Sequence, residues 1–166
     1  QWEAPSGARL WMSYLDREDD VLRYQGLAFS WIGFDELTQW ASPYAWNYMR
    51  SRLRSVASDL PVYMRATTNP GGPGHQWVKK MFIDPAPYGK QFDATDIESG
   101  NILSYPKGHT KAGQPLFKRR FIPARLSDNP YLAETGDYET MLLSLPEHQR
   151  KQLLEGDWDI KEGAAF

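Results

Sequence analysis

Cysteine is absent from the sequence, which excludes disulfides, zinc–thiolate sites and thiol nucleophiles. Histidine is scarce: His75, His109 and His148 lie far apart, and none has metal-ligand spacing with another. No apolar run approaches the roughly 18 residues that a membrane span requires. No signal peptide opens the chain, so no membrane partner is expected. Charge of one sign is also lacking. A net charge of −2 gives no overall basic field, and any contact with nucleic acid would have to come from a local patch. The sequence has no glycine-rich loop closed by Gly-Lys-Ser/Thr. Gly71-Gly72-Pro73-Gly74 lacks the lysine, and Gly89-Lys90 is followed by Gln91, with Asp84 where the first glycine should stand.

What is present is the composition of a globular protein. Hydrophobic residues make up 41% and charged residues 24%, which argues against disorder, and 166 residues suffice for one compact domain. Seven Trp, nine Tyr and seven Phe supply large side chains for a core. The chain begins at Gln1 rather than Met and stops at Phe166, which leads us to expect a fragment.

Three segments read as strands of a mainly parallel sheet: Arg9–Leu15, Ala28–Phe34 and Val62–Thr67. The second is a near-continuous apolar run, as in a strand buried on both faces. Ser42-Pro43 reads as a helix start, followed at helical spacing by Ala45, Tyr48, Met49, Leu53 and Val56. Strand, helix, strand in that order predicts a βαβ unit, with chemistry at the carboxyl ends of the strands. Trp77, Val78, Met81 and Phe82 mark one face of a short helix. A hairpin is predicted around Glu98–Asn101, and a further strand over Phe117–Ile122. From Ser127 the pattern turns helical. Asn129-Pro130 and Asp137 serve as caps, Ser144-Leu145-Pro146-Glu147 matches a capping box, and Gly156 ends the last helix.

Two motifs carry chemistry. Trp31-Ile32-Gly33-Phe34 runs into Asp35-Glu36, an apolar strand holding two carboxylates at its tip. Such a pair suits hydrated Mg²⁺ on the first acid and activation of a water by the second. Read alone, it also suits any strand that ends in acidic residues at a loop. One strand further on, Thr67-Thr68-Asn69-Pro70 supplies hydroxyls and an amide that suit a phosphate or its water, and equally an ordinary turn.

In order along the chain stand Ser6-Gly7-Ala8-Arg9-Leu10, Ile32 to Trp40, Thr67 to His75, Phe121-Ile122-Pro123-Ala124 with Asp128 to Leu132, and Leu154-Glu155-Gly156-Asp157-Trp158. This series resembles the large terminase subunits of tailed phages over essentially the whole chain, with the two central blocks the most specific. The resemblance implies the second half of an ATPase domain. Its fold would be a partial P-loop NTPase, a RecA-like α/β three-layer sandwich over residues 1–126, followed by a helical lid and linker over 127–166 that leads to an absent nuclease.

On this resemblance Asp35 is the Mg²⁺ ligand, through water, and Glu36 the catalytic base, while Thr67, Thr68 and Asn69 couple hydrolysis to movement. Many such motors use an arginine finger just before the glycine that precedes the acidic strand. Here that position is Gln25, before Gly26, and Arg23 is the nearest candidate. Lys118, Arg119 and Arg120 are candidate DNA contacts, as are Arg50 to Arg54, although a solvated face explains both clusters too. Mg²⁺ and ATP would serve the full-length protein, with neither expected on this fragment. Implied partners are double-stranded phage DNA, the portal protein, the small terminase subunit and further copies in a ring, in the bacterial host cytoplasm. The alternatives are another P-loop ATPase such as a helicase-like translocase, and a non-enzymatic phage binding module.

Overall fold

The structure, a computed structural model, describes residues 1–55 and 59–160. Val56, expected in a helix, and the last six residues of the expected lid lie outside them. The chain forms two compact units, Gln1–Gly33 with Tyr44–Met64, and Phe34–Pro43 with Arg65–Phe166. Among the described residues no helix is long and apolar enough to cross a membrane.

In the first unit β1 (Trp2–Glu3) and β2 (Arg9–Leu10) form an antiparallel hairpin closed by the turn at Gly7. The strand expected over Arg9–Leu15 is thus two residues long. Its partner strand offers only two residues for pairing; beyond it Trp11 meets Phe29 edge-on, while Met12 is 88% exposed. Residues Glu18–Tyr24 form a 3₁₀ helix whose Val21 is fully buried. The helix α1 (Tyr44–Arg50) packs on it through its buried face of Ala45, Trp46 and Met49. Leu53, expected on this helix, lies beyond its end and bridges Phe29 in parallel. Phe29 N–H donates to Arg52 O and Arg54 N–H to Phe29 O, so sheet pairing takes the backbone that a longer helix would need. Arg54 Nη2 then donates to Gly26 O and Leu27 O, which fixes the loop before β3.

The strands β3 (Trp31–Phe34) and β4 (Tyr63–Ala66) form the parallel pair, with Tyr63 N–H on Ser30 O and Thr67 N–H on Phe34 O. Both run from the first unit into the second. Burial alternates along β3: Ile32 is buried, while Trp31 is 43% exposed and Gly33 is exposed. This is a strand covered on one face, not on both as its apolar run suggested. The Trp31 indole lies over Gly33, where a Cβ would meet it, so part of the apolar run covers itself.

In the second unit α2 (His75–Val78) continues into a π-helical turn over Lys79–Ile83, closed by Asp84 N–H on Lys79 O. Of the expected face, Trp77, Val78 and Met81 are buried, while Phe82 is half-buried. The strands β5 (Gln91–Asp93) and β6 (Lys118–Arg120) pair antiparallel. Between them the expected hairpin forms at Asp96–Asn101, where the Asp96 carboxylate accepts from Ser99 N–H and Oγ–H. The helices α3 (Pro130–Thr135), α4 (Asp137–Leu143) and α5 (Glu147–Arg150) follow, with a π-helical turn over Lys151–Glu155. Asn129 occupies the N-cap of α3, whereas Gly136, not Asp137, occupies that of α4. The capping box at Ser144 does not form. Ser144 Oγ donates back to Met141 O and closes α4, a local bond always open to a serine hydroxyl. Gly156 ends the last turn in the left-handed region, with Asp157 N–H reaching Lys151 O.

One member of the basic cluster on β6 is internal. Arg119 is 8% exposed, its guanidinium lies near the rings of Phe82 and Phe117, and NH1 donates to Thr95 O. Alternation along a strand puts Lys118 and Arg120 on the other, exposed face. Arg119 is therefore a packing residue rather than a DNA contact. Arg119→Ala should lower stability by roughly 2 kcal/mol through the lost ring contacts and hydrogen bond, while Arg120→Ala should change it by less than about 0.5 kcal/mol. Denaturant titration of the two variants checks the difference.

Candidate active site

Parallel strands deliver their carboxyl ends to the same side, so the residues after Phe34 and those after Ala66 become neighbours. The loop after β3 is a 3₁₀ turn over Leu37–Gln39, and Leu37 N–H donates to Thr67 O at 2.9 Å. Thr38, 3% exposed, is the fastening. Its N–H donates to Thr68 Oγ1 at 3.1 Å, the Thr68 hydroxyl donates to Thr38 Oγ1 at 3.0 Å, and the Thr38 hydroxyl donates to Asn69 O at 3.0 Å. Each hydroxyl in this chain gives one proton and accepts one, so the buried polar groups are satisfied.

Asp35 meets Thr67 directly. The Thr67 hydroxyl donates to Asp35 Oδ1, and the same oxygen accepts from Glu36 N–H at 3.2 Å. Asp35 Oδ2 has no hydrogen-bond partner among the described residues. Glu36 is the only residue other than glycine with positive φ among them, at φ 50° and ψ 54°. A side chain in that region costs about 1–2 kcal/mol, and such outliers gather at functional sites. Bonds on both sides hold it there: Glu36 N–H to Asp35 Oδ1, Gln39 N–H to Glu36 O, and Leu37 N–H to Thr67 O.

Beside these tips lies a cavity of about 200 Å³, walled by Glu36, Thr38, Gln39 and Asn69, by the glycines Gly71 and Gly72, and by Gln152 and Leu153 of the last helical turn. At about 30 Å³ per water, this is room for a hydrated ion or a phosphate. The Glu36 carboxylate and the side-chain amides of Gln39, Asn69 and Gln152 make no hydrogen bond to other described residues.

The glycines of Gly71-Gly72-Pro73-Gly74 serve close packing. A Cβ on Gly72 would stand 2.9 Å from Thr38 O, and one on Gly74 would strike Trp40 O. Gly74 N–H donates to Thr38 O at 2.7 Å and Trp77 Nε1 to Trp40 O at 2.7 Å, so the loop is bound to the Thr38 turn along its length. Its far end is fixed by His75, 2% exposed, whose Nδ1 accepts from Gly71 N–H at 2.8 Å. The His75 ring stacks on Trp158, which also meets Phe121 edge-on. Lys79 reaches Asp159 at 2.8 Å. That bond raises the Lys79 ammonium above its ordinary range and holds the Asp159 carboxyl below its own.

The second unit thus brings Asp35, Glu36, Thr67, Thr68 and Asn69 together. Arg23 lies in the first unit, where it donates to Tyr14 O and Asp20 O and pairs with Asp20. Sequence reasoning gave no role to Thr38, His75 or Gln152. A threonine two residues beyond the acid pair and a histidine closing the glycine loop were the available signals. Among the described residues no three His, Asp or Glu are placed to hold a metal ion by themselves. Comparison of the chain with family models, with curated proteins and with solved structures found no match.

Two results are expected from stability measurements. Glu36→Gly should be more stable than Glu36→Ala by about 1 kcal/mol, the left-handed penalty less the extra chain entropy of glycine; equal values would refute strain at this residue. Thr68→Val should cost about 1–3 kcal/mol by stranding Thr38 N–H, whereas Thr68→Ser should cost less than about 1 kcal/mol.

Proposed function

We propose that this chain belongs to a P-loop-type ATPase, in which it supplies the acidic strand tip and the neighbouring polar loop. More narrowly, we read it as the second half of the ATPase domain of a tailed-phage large terminase, the motor that drives double-stranded DNA into a procapsid. What supports this reading is the meeting of Asp35-Glu36 with Thr67-Thr68-Asn69 at the tips of two paired parallel strands, beside a polar cavity. The order of motifs along the chain supports the narrower form. The larger α/β sandwich, the portal and small-subunit partners, the ring and the downstream endonuclease belong to the same proposal.

The carboxylate pair fits Mg²⁺, which binds through one or two carboxylates, keeps several waters and takes phosphate oxygens for the rest. Asp35 would hold it through water at Oδ2, with Oδ1 kept in place by Thr67. When bound, the ion neutralises charge that develops on the transferred phosphoryl group. Glu36, strained at the cavity rim with its carboxylate unpaired, would orient the attacking water and take its proton. Thr68 and Asn69 are bonded to the Thr38 turn that follows Glu36, so a shift of either strand tip reaches the other. That gives the polar loop a route for passing the state of the site along β4.

The reading requires a phosphate-binding loop outside these residues, and positioning by that loop supplies much of phosphoryl-transfer catalysis. The 166-residue chain by itself should therefore show no measurable ATP binding, and micromolar affinity by calorimetry would contradict the reading. Its reading frame should continue upstream of Gln1 into a glycine-rich loop ending in Lys-Ser or Lys-Thr. In that longer chain Glu36→Gln should lower kcat for ATP by about 10²–10⁴-fold, with little change in KM. A longer chain without such a loop, or an ATPase that survives Glu36→Gln, sinks the proposal.

A further inference from the structure

From Ser99 to Ser127 the sequence contains no acidic residue, where an even spread of the chain's 21 would put three or four. The same stretch holds Lys107, Lys111, Lys118, Arg119, Arg120 and Arg125 in a chain of net charge −2. Charge is therefore segregated along the chain, and the fold concentrates part of it. Residues on either side of a turn pair at Ser104 and Pro115, Tyr105 N–H donates to Gln114 O, and Gly113 N–H returns to Tyr105 O. The result is a hairpin whose tip, residues 106–113, carries Lys107, His109 and Lys111, all exposed.

The tip is braced from within. The His109 ring stacks on Tyr105 at 4.5 Å, His109 Nδ1 accepts from Lys111 N–H at 3.0 Å, and Lys111 Nζ stands 5.8 Å from the Tyr105 centroid. Among the described residues no carboxylate pairs with Lys107, Lys111 or Arg120, whereas Lys118 is held by Asp93 at 2.8 Å. Lysines freed of carboxylates on a braced turn form a fixed cationic surface, and phosphates are the anions that such a surface attracts from nucleic acid.

We propose that the hairpin tip of residues 105–114, with Lys107 and Lys111, is a contact surface for the phosphate backbone of duplex DNA. Tyr105 is engaged within the tip, with the His109 ring stacked on it and Lys111 Nζ over it, which leaves the exposed His109 ring as the tip's one aromatic face toward a base. Single strands bind through successive ring platforms, and one imidazole does not supply a series, which favours a duplex held by its phosphates. The choice of a duplex over other polyanions also rests on the function proposed above. The contact itself involves neither Glu36 nor nucleotide, so the two failures are distinguishable: loss of the ATPase reading leaves a polyanion-binding tip, and loss of duplex binding leaves the ATPase reading.

The test uses the whole 166-residue chain and a short labelled duplex of mixed sequence, titrated without nucleotide from about 50 to about 200 mM salt. Binding should weaken linearly on a log–log plot. Replacing both tip lysines (Lys107→Ala with Lys111→Ala) should flatten the slope by about 1.8. At low salt the double variant should bind about tenfold more weakly, with its circular dichroism unchanged. Absence of duplex binding at the lowest salt overturns the proposal, as does an unaltered slope in the double variant. Tighter binding of the matching single strand overturns the duplex assignment. Capture by anionic phosphatidylserine vesicles without capture of DNA would make this a lipid-facing surface instead.

Discussion

A pair of parallel strands sets two loops side by side but does not fix them to one another, because the ladder of backbone bonds ends where the loops begin. Here the fixing falls to two threonines. Thr38 and Thr68 exchange hydroxyl and amide hydrogen bonds, and the chain of donors ends on Asn69 O. Since Thr38 is buried, an unmade bond in this chain would leave a polar group away from water, at about 1–3 kcal/mol. The acid pair, the polar loop and the glycine turn that follows take their mutual positions from this link.

Strain at Glu36 becomes intelligible in that setting. A left-handed glutamate would relax if its surroundings allowed it, yet Leu37 on one side and Asp35 on the other are both bonded to Thr67. The penalty of about 1–2 kcal/mol is smaller than the combined loss of those bonds, so the strained conformation persists. The kink turns the chain sharply after β3 and leaves the Glu36 carboxylate at the cavity rim, while Leu37, the next residue, is buried. A glycine would accommodate the same turn more easily.

Features of the sequence that act locally were readable in advance. The hairpin at Asp96–Asn101, the buried stripe of Trp77, Val78 and Met81, the αL end at Gly156 and the pairing of the two central strands follow from turn chemistry and periodicity. Features decided by a competing partner were not. Leu53 fits the helical stripe but pairs with Phe29, Ser144 fits a capping box but back-bonds to Met141, and Arg119 reads as surface charge but enters a pair of phenylalanines. In each case the losing pattern was local and the winning contact was not visible from the spacing, or was an equally local bond of similar strength. At the candidate site the acid pair and the Thr-Thr-Asn cluster stood out through their order along the chain and the resemblance it carries, since either alone also suits an ordinary strand end or turn. Thr38 and His75 did not, since their part is to fasten other residues.

The glycine loop is held at both ends, and the two ends face different neighbours. Near Thr68 and Asn69 it is bonded to the Thr38 turn; at His75 it is pinned by the Gly71 N–H bond and by stacking on Trp158. Trp158 lies three residues beyond the helical turn that contributes Gln152 and Leu153 to the cavity wall. A Cβ on Gly71 would collide with the Gln152 amide, so the loop and the wall approach as closely as the missing side chain permits. The width of the cavity therefore depends on where Trp158 sits against His75, both of them buried. The side that carries the acid is set by the directional bonds of the Thr38–Thr68 link, and the other by ring packing.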